Sequence, residues 1–227
     1  MLEAAYRLDR SEEQWVEGVR EAFEPSVRGA ALVQAYVFDA SDVQNLKMRT
    51  IRGGTDEQNR WMKSTEGPGY NAGESVQRVF AGESGPRIAS EALGHGAYAE
   101  MLAGTFANPW GLIDGWGVVA GNLAGRGLAL GALTTHRVGP VAPSIQARWQ
   151  AVSAHVSAAF CLREAMAAGL APAEAVLGAD GKVLHLEGEA RLRDARDSLR
   201  QAVRARGSFS SGAWVWSPRG SARASTT

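Results

Sequence analysis

Between Trp116 and Leu133 the chain is weakly polar for longer than anywhere else, yet Gly121, Asn122, Gly125, Arg126, Gly127 and Gly131 interrupt it. A helix that crosses a membrane needs about 20 consecutive, predominantly apolar residues, so this stretch does not read as a span. It reads as two strands, 115–120 and 128–135, joined by a glycine-rich turn. A second strand signal lies at 30–39, where Leu32, Val33, Tyr36, Val37 and Phe38 sit between Gly29 and the turn cluster Asp39-Ala40-Ser41-Asp42. Residues 43–51 read as its antiparallel partner, with Leu46, Met48 and Thr50 on one face.

Helix signals surround these strands. Ser11-Glu12-Glu13-Gln14 has the form of a capping box, in which the serine hydroxyl and the glutamine side chain satisfy free amides at a helix start. Trp15, Val19 and Phe23 follow on one face, and Pro25 ends the run. Thr55-Asp56-Glu57-Gln58 is a second box, opening a helix through Trp61 and Met62 that Gly67-Pro68-Gly69 closes. Residues 74–81 read as a short helix with Val76, Val79 and Phe80 inward, and 82–87 as a loop. In 88–106 the alanines, Leu93, Met101 and Leu102 favour a helix, while Gly94, Gly96 and Gly104 oppose it. Asn108-Pro109 is a turn. The longest helix is expected over 144–168, with Ile145, Trp149, Val152, Val156 and Phe160 as its apolar stripe and Gly169 at its end.

Past Pro172 the pattern changes. Ala175-Val176-Leu177 and Val183-Leu184-His185-Leu186 flank Gly178-Ala179-Asp180-Gly181, a strand-turn-strand signature. Residues 187–206 read as a charged helix of six arginines and four acids, either a solvated face or a signalling helix. Its thin stripe of Leu192, Leu199 and Val203 suits a partner helix. Residues 207–227 contain no acid, Leu or Ile, and disorder is expected there. The reading is an α+β chain in three parts: a sheet-and-helix domain over 1–170, a hairpin with a linker or dimerisation helix over 171–206, and a tail over 207–227.

Composition excludes more than it names. Basic and acidic residues balance at 24 each, which argues against a basic nucleic-acid surface over the whole chain. The single cysteine, Cys161, rules out an internal disulfide framework and reads as a buried, inert thiol. Glu3 and Asp9 flank a start with no long apolar run, so a cytoplasmic protein without a secretory signal is expected. His95, His136, His155 and His185 are far apart, and no local metal site is visible. His155 reads as a hydrogen-bonded structural residue and His185 as solvent-facing. No phosphate-binding loop, dinucleotide fingerprint, His-Glu-x-x-His or Gly-x-Ser-x-Gly occurs. No catalytic residue, metal or cofactor is expected.

The aromatic residues say more. Trp110 and Trp116 flank Asp114 and Gly115 at the mouth of a strand, and rings over a sheet commonly line small-molecule pockets. The expected wall is Tyr36, Trp61, Tyr98, Phe106, Trp110 and Trp116, with His95 as a polar handle. Core packing is the alternative for each ring, and the favoured one for Trp149.

The segment order is a helix, two strands, helices, a glycine-rich strand pair and a long closing helix. It resembles a GAF domain, an antiparallel sheet with helices on one side and ligand-covering segments on the other. More specifically, several stretches resemble the N-terminal regulatory region of LuxR-type transcriptional regulators. These are Leu2-Glu3-Ala4-Ala5-Tyr6, the run from Trp15 to Ala22, the helix over 141–168, and Ala175-Val176-Leu177-x-x-Asp180-Gly181-x-Val183-Leu184-His185 before an Ala/Arg-rich helix. The resemblance covers about residues 1–206. It implies a non-enzymatic sensor for a small molecule or partner, working as a homodimer through Leu192, Leu199 and Val203. It also implies DNA binding only through a C-terminal helix-turn-helix, and residues 207–227 cannot supply one. Their Arg, Gly, Ala, Ser, Pro and Trp content reads as out-of-frame translation of GC-rich codons, and the competing reading is a genuine flexible tail. The rival function is a ligand-free interaction scaffold, which requires the Trp110–Trp116 region to be packed solid.

Overall fold

The computed structural model describes residues 1–42, 44–64, 79–80, 84–104, 110–122, 124–168, 175–177, 183–186, 197 and 214–216. Helix α1 (Leu2–Ala5) leads to α2 (Glu12–Phe23), whose capping box forms as the sequence indicates. The Gln14 amide donates to Ser11 Oγ and the Ser11 amide to Gln14 Oε1, each at 3.3 Å. Trp15, Val16, Val19 and Phe23 are buried, and a 3-10 turn over Glu24–Ser26, with Pro25 inside it, ends the helix. Trp15 Nε1 donates to the Ala5 carbonyl at 2.7 Å, so the largest ring of α2 is buried with its polar atom satisfied.

Five antiparallel strands follow: β1 (Leu32–Asp39), β2 (Lys47–Arg52), β3 (Gly85–Ile88), β4 (Asp114–Gly121) and β5 (Arg126–Thr134). Their order across the sheet is β2-β1-β5-β4-β3. The expected α+β class is therefore the observed one. Between β2 and β3 lies α3 (Asp56–Ser64), opened by the second box, where Thr55 and Gln58 bond each other's amides. Between β3 and β4 lie α4 (Ala89–Leu93) and α5 (His95–Gly104), separated by Gly94 at φ +86. That left-handed conformation suits glycine and lets the chain turn between two short helices. Helix α6 (Pro143–Ala167) closes the domain, with Pro143 in its first turn, where its missing N–H costs nothing.

Strand alternation divides the interior into two cores. Ala35 and Val37 of β1, Val118 and Ala120 of β4, and Leu128, Leu130 and Ala132 of β5 face α1, α2 and α6. There they meet Trp15, Val19, Phe23, Val156 and Phe160. Tyr36, Phe38, Ala129 and Val119 point the other way, toward Met48 and Phe80. Burial on both faces explains why β1 carries apolar residues on both, with Gln34 its one interior polar residue.

Ion pairs tie the edge of this structure together. Arg49 of β2 reaches Glu12 of α2 at 3.0 Å and Glu164 of α6 at 3.2 Å, and Arg126 of β5 reaches Glu164 at 2.9 Å.

Several expectations need correction. Residues 85–88 are a strand, not a loop. Pro86 is tolerated because β3 lies at the sheet edge, where one side of a strand needs no ladder hydrogen bond. Thr50 does not share the face of Met48. The β1–β2 register shifts between Ala35 and Val37, Thr50 takes φ +52, and its hydroxyl donates to Glu12 on the helical side. Ile145 is 49% exposed, so the buried stripe of α6 is centred farther along, on Val156 and Phe160.

Strands β6 (Ala175–Leu177) and β7 (Val183–Leu186) form the expected hairpin. Trp214–Trp216 form β8, antiparallel to β6. Disorder is therefore not the state of those three residues, because a Trp-Val-Trp triplet is itself a strong strand former. Gly67-Pro68-Gly69, Val76, Asn108-Pro109, Gly169, the remainder of the tail, and the stripe of Leu192, Leu199 and Val203 lie outside the described residues. No described helix is long and apolar enough to cross a membrane.

Candidate functional site

The described surface includes two recesses of note. The larger, about 680 Å³, runs along α1 and α2 between Arg7, Arg10 and Arg52 on one hand and Glu3, Glu13, Glu17 and Glu21 on the other. Charges of both signs nearly cancel there, so it has no field to draw a charged ligand. The smaller, about 150 Å³, lies on the face of the sheet turned away from α2 and α6. Its floor comes from Gly115 and Gly117 of β4 and Gly131 of β5, and its apolar wall includes Met48, Met62, Phe80 and Leu93.

The register explains why a hollow forms at that place. Gln34, Gly131, Gly117 and Arg87 lie in one row across β1, β5, β4 and β3. Two adjacent members of the row carry no side chain, so the middle of the sheet is bare between Gln34 and Arg87. Gln34 is buried and donates to Asn59 Oδ1 of α3 at 2.9 Å, which closes that end. A Cβ on Gly131 would meet no atom within 4 Å. A Cβ on Gly117 would meet the Leu130 carbonyl, so only glycine fits there.

Tyr36 and Tyr98 supply the polar groups. They are 9% and 3% exposed, and both line the cavity. The Tyr98 hydroxyl lies over the floor, 3.3 Å from where a Gly115 Cβ would be. Neither hydroxyl has a hydrogen-bond partner among the described residues. Burial pushes both phenols above their ordinary range, and the charges of Asp114 and Tyr36 add to the effect at Tyr98. Both are therefore protonated at neutral pH, able to donate and to accept.

Asp114 anchors the cover to the sheet. It is 1% exposed and accepts from the Ser90 amide (3.2 Å), Ser90 Oγ (2.9 Å), the Gly115 amide (2.8 Å) and the Val138 amide (3.0 Å). The first two bonds hold the start of α4, and the last holds the chain after β5. Tyr98, Leu102 and Leu112 pack beneath, with Trp110 and Met62 beside them.

The expected wall divides accordingly. Tyr36 and Tyr98 are brought together. Trp116 borders the cavity through its place in β4, but alternation sends its ring to the opposite face, against Phe23 and Trp149. Trp110 is partly buried in the neighbouring cluster, outside the described lining. His95 is exposed at the start of α5. Trp61 is on α3, with its neighbour Met62 contributing to the wall, and Phe106 lies outside the described residues. Sequence reasoning missed Met48, Met62, Phe80 and the paired glycines as lining. Gly117 and Gly131 are equidistant from the Gly121–Gly127 pair that closes the hairpin, so their pairing was available once the turn was placed.

Other buried or half-buried titratable groups lie away from the cavity. Tyr6 Oη and His155 Nδ1 are 3.1 Å apart. Burial pushes the Cys161 thiol up to about 12. Among the described residues no three His, Cys, Asp or Glu side chains gather as a metal site would require. The chain has no significant match to any protein-family model, curated protein or solved structure.

Proposed function

We propose that this chain is a non-enzymatic sensory module of the LuxR-regulator type, with a GAF-like ligand site in the cavity between the sheet and α3–α5. One observation carries the reading: an apolar hollow over the bare Gly117–Gly131 pair, in a sheet otherwise covered on both faces. The division of the sheet supports it, with α1, α2 and α6 on one side and shorter covering segments on the other. Signalling in this reading is a change in how residues 187–206 pair with a second copy, and a ligand drives it only by binding one arrangement better.

The volume limits the ligand. Sites for drug-sized molecules span about 300–1,000 Å³, whereas a cavity of about 150 Å³ with apolar walls holds one benzene-sized molecule. Thermal unfolding in the presence of benzene tests the reading. At ten times its dissociation constant a ligand adds about 1.4 kcal/mol of stability, a rise of about 3–5 °C in Tm. Gly131→Leu places a side chain in the hollow and is expected to abolish that rise while the domain still unfolds cooperatively. No rise in the parent protein at saturating benzene favours the scaffold reading, in which this region is closed to ligands.

A further inference from the structure

The two tyrosine hydroxyls make the cavity more selective than its apolar walls suggest. Tyr36 comes from β1 and Tyr98 from α5, so the fold brings both to one space from opposite walls. Both side chains are more than nine-tenths buried, line the cavity and lack a hydrogen-bond partner among the described residues. We infer that the cavity takes an uncharged monocyclic aromatic molecule carrying a hydroxyl group, a simple phenol, held through the hydroxyls of Tyr36 and Tyr98. This inference rests on the cavity being a ligand site.

Three observations favour a phenol over other ligands of the same size. The volume admits one ring and little else. A hydroxyl on that ring can donate to one tyrosine and accept from the other, which a bare hydrocarbon cannot do. Asp114 supplies a buried carboxylate whose charge acts on the Tyr98 phenol, and the same charge opposes an anionic group beside it. Among the described lining residues Arg87, partly buried at the far end of the glycine row, is the cation through which a carboxylate would bind.

The test measures benzene, phenol and benzoate against the full chain and its Tyr36→Phe and Tyr98→Phe variants, by calorimetry and thermal unfolding at pH 7. Phenol is expected to bind, and to lose about 2- to 10-fold in affinity in each variant. Benzene affinity is expected to stay within about twofold throughout, because Tyr→Phe removes only the hydroxyl. Benzoate is expected to bind more weakly than phenol. If phenol affinity is indifferent to both substitutions while benzene still binds, the hydroxyls play no part; the inference falls and the cavity reading stands. If benzoate binds best, the ligand class is anionic and the inference falls. If neither benzene nor phenol binds, the cavity reading fails and the inference fails with it. Gly131→Ala and Gly131→Leu, checked for cooperative unfolding, are both expected to weaken phenol. Phenol binding that survives both places its site elsewhere on the molecule and overturns the inference.

Discussion

Trp116 lies face to face with Phe23, ring centroids 5.7 Å apart and planes 11° from parallel, while Trp149 meets Trp116 edge-on at 5.2 Å. The trio joins β4, α2 and α6, so Trp116 belongs to the helical core and not to a ligand wall. Trp116→Ala is expected to cost about 3 kcal/mol of unfolding free energy, measured in urea. Benzene binding should persist in whatever fraction remains folded. Loss of binding without loss of stability would put the ring in the cavity after all.

Asp114 has the densest set of hydrogen bonds near the site. Replacing it with alanine leaves four donors unanswered, two of them at the start of α4. The expected loss is about 3 kcal/mol, with Asp114→Asn costing roughly half, since one oxygen acceptor survives. Urea unfolding of the three proteins gives the comparison. A loss of under about 1 kcal/mol for the alanine variant would show that water replaces these contacts.

Glu12 links α2 to β2. Burial pushes its carboxyl up, but hydrogen bonds from Arg49 and Thr50 and the charges of Arg49 and Arg163 outweigh this and hold it below its ordinary 4.5. The folded state therefore holds the proton less readily than the unfolded chain. The stabilisation is complete well above pH 4.5 and disappears as pH falls through the depressed folded value. Glu12→Gln should unfold about 0.5–1 kcal/mol more easily than the parent at pH 7, with the gap closing as pH falls below 4.5 through the depressed folded value. A gap that stays constant with pH would mean the contact is not ionic.

Cys161 offers a simple test of order in α6. With the thiol pushed up to about 12 by burial, little thiolate exists at pH 8. An aromatic disulfide reagent should react on the order of a thousandfold faster in 8 M urea than in buffer. Equal rates would show that the helix opens freely at that point.

The parts of the fold visible in the sequence are those set by neighbours along the chain. Ser11 with Gln14 and Thr55 with Gln58 mark two helix starts because the bonds involved span only three residues. The glycine-broken pair β4–β5 was equally local. What escaped depends on distant partners. Gly85-Pro86 reads as a loop until β4 is there to pair with it. Trp116 reads as exposed at a strand mouth until Phe23 and Trp149 arrive on its side of the sheet. Tyr36 and Tyr98 were legible as candidate wall residues, because aromatic rings over a sheet commonly line small-molecule pockets. Trp110 and His95 were equally eligible, and only the packing of α4 and α5 leaves them outside the described lining.

Tyr36 and Val37 are consecutive in the chain, yet they live in different neighbourhoods of the molecule. The sheet between them acts as a partition, and the two sides meet only through backbone. Substitutions at Tyr36, Met48 and Tyr98 can therefore reshape the cavity side while leaving the Trp15–Phe23–Phe160 side untouched. In the proposed reading, ligand preference and the helical core are then open to change one side at a time.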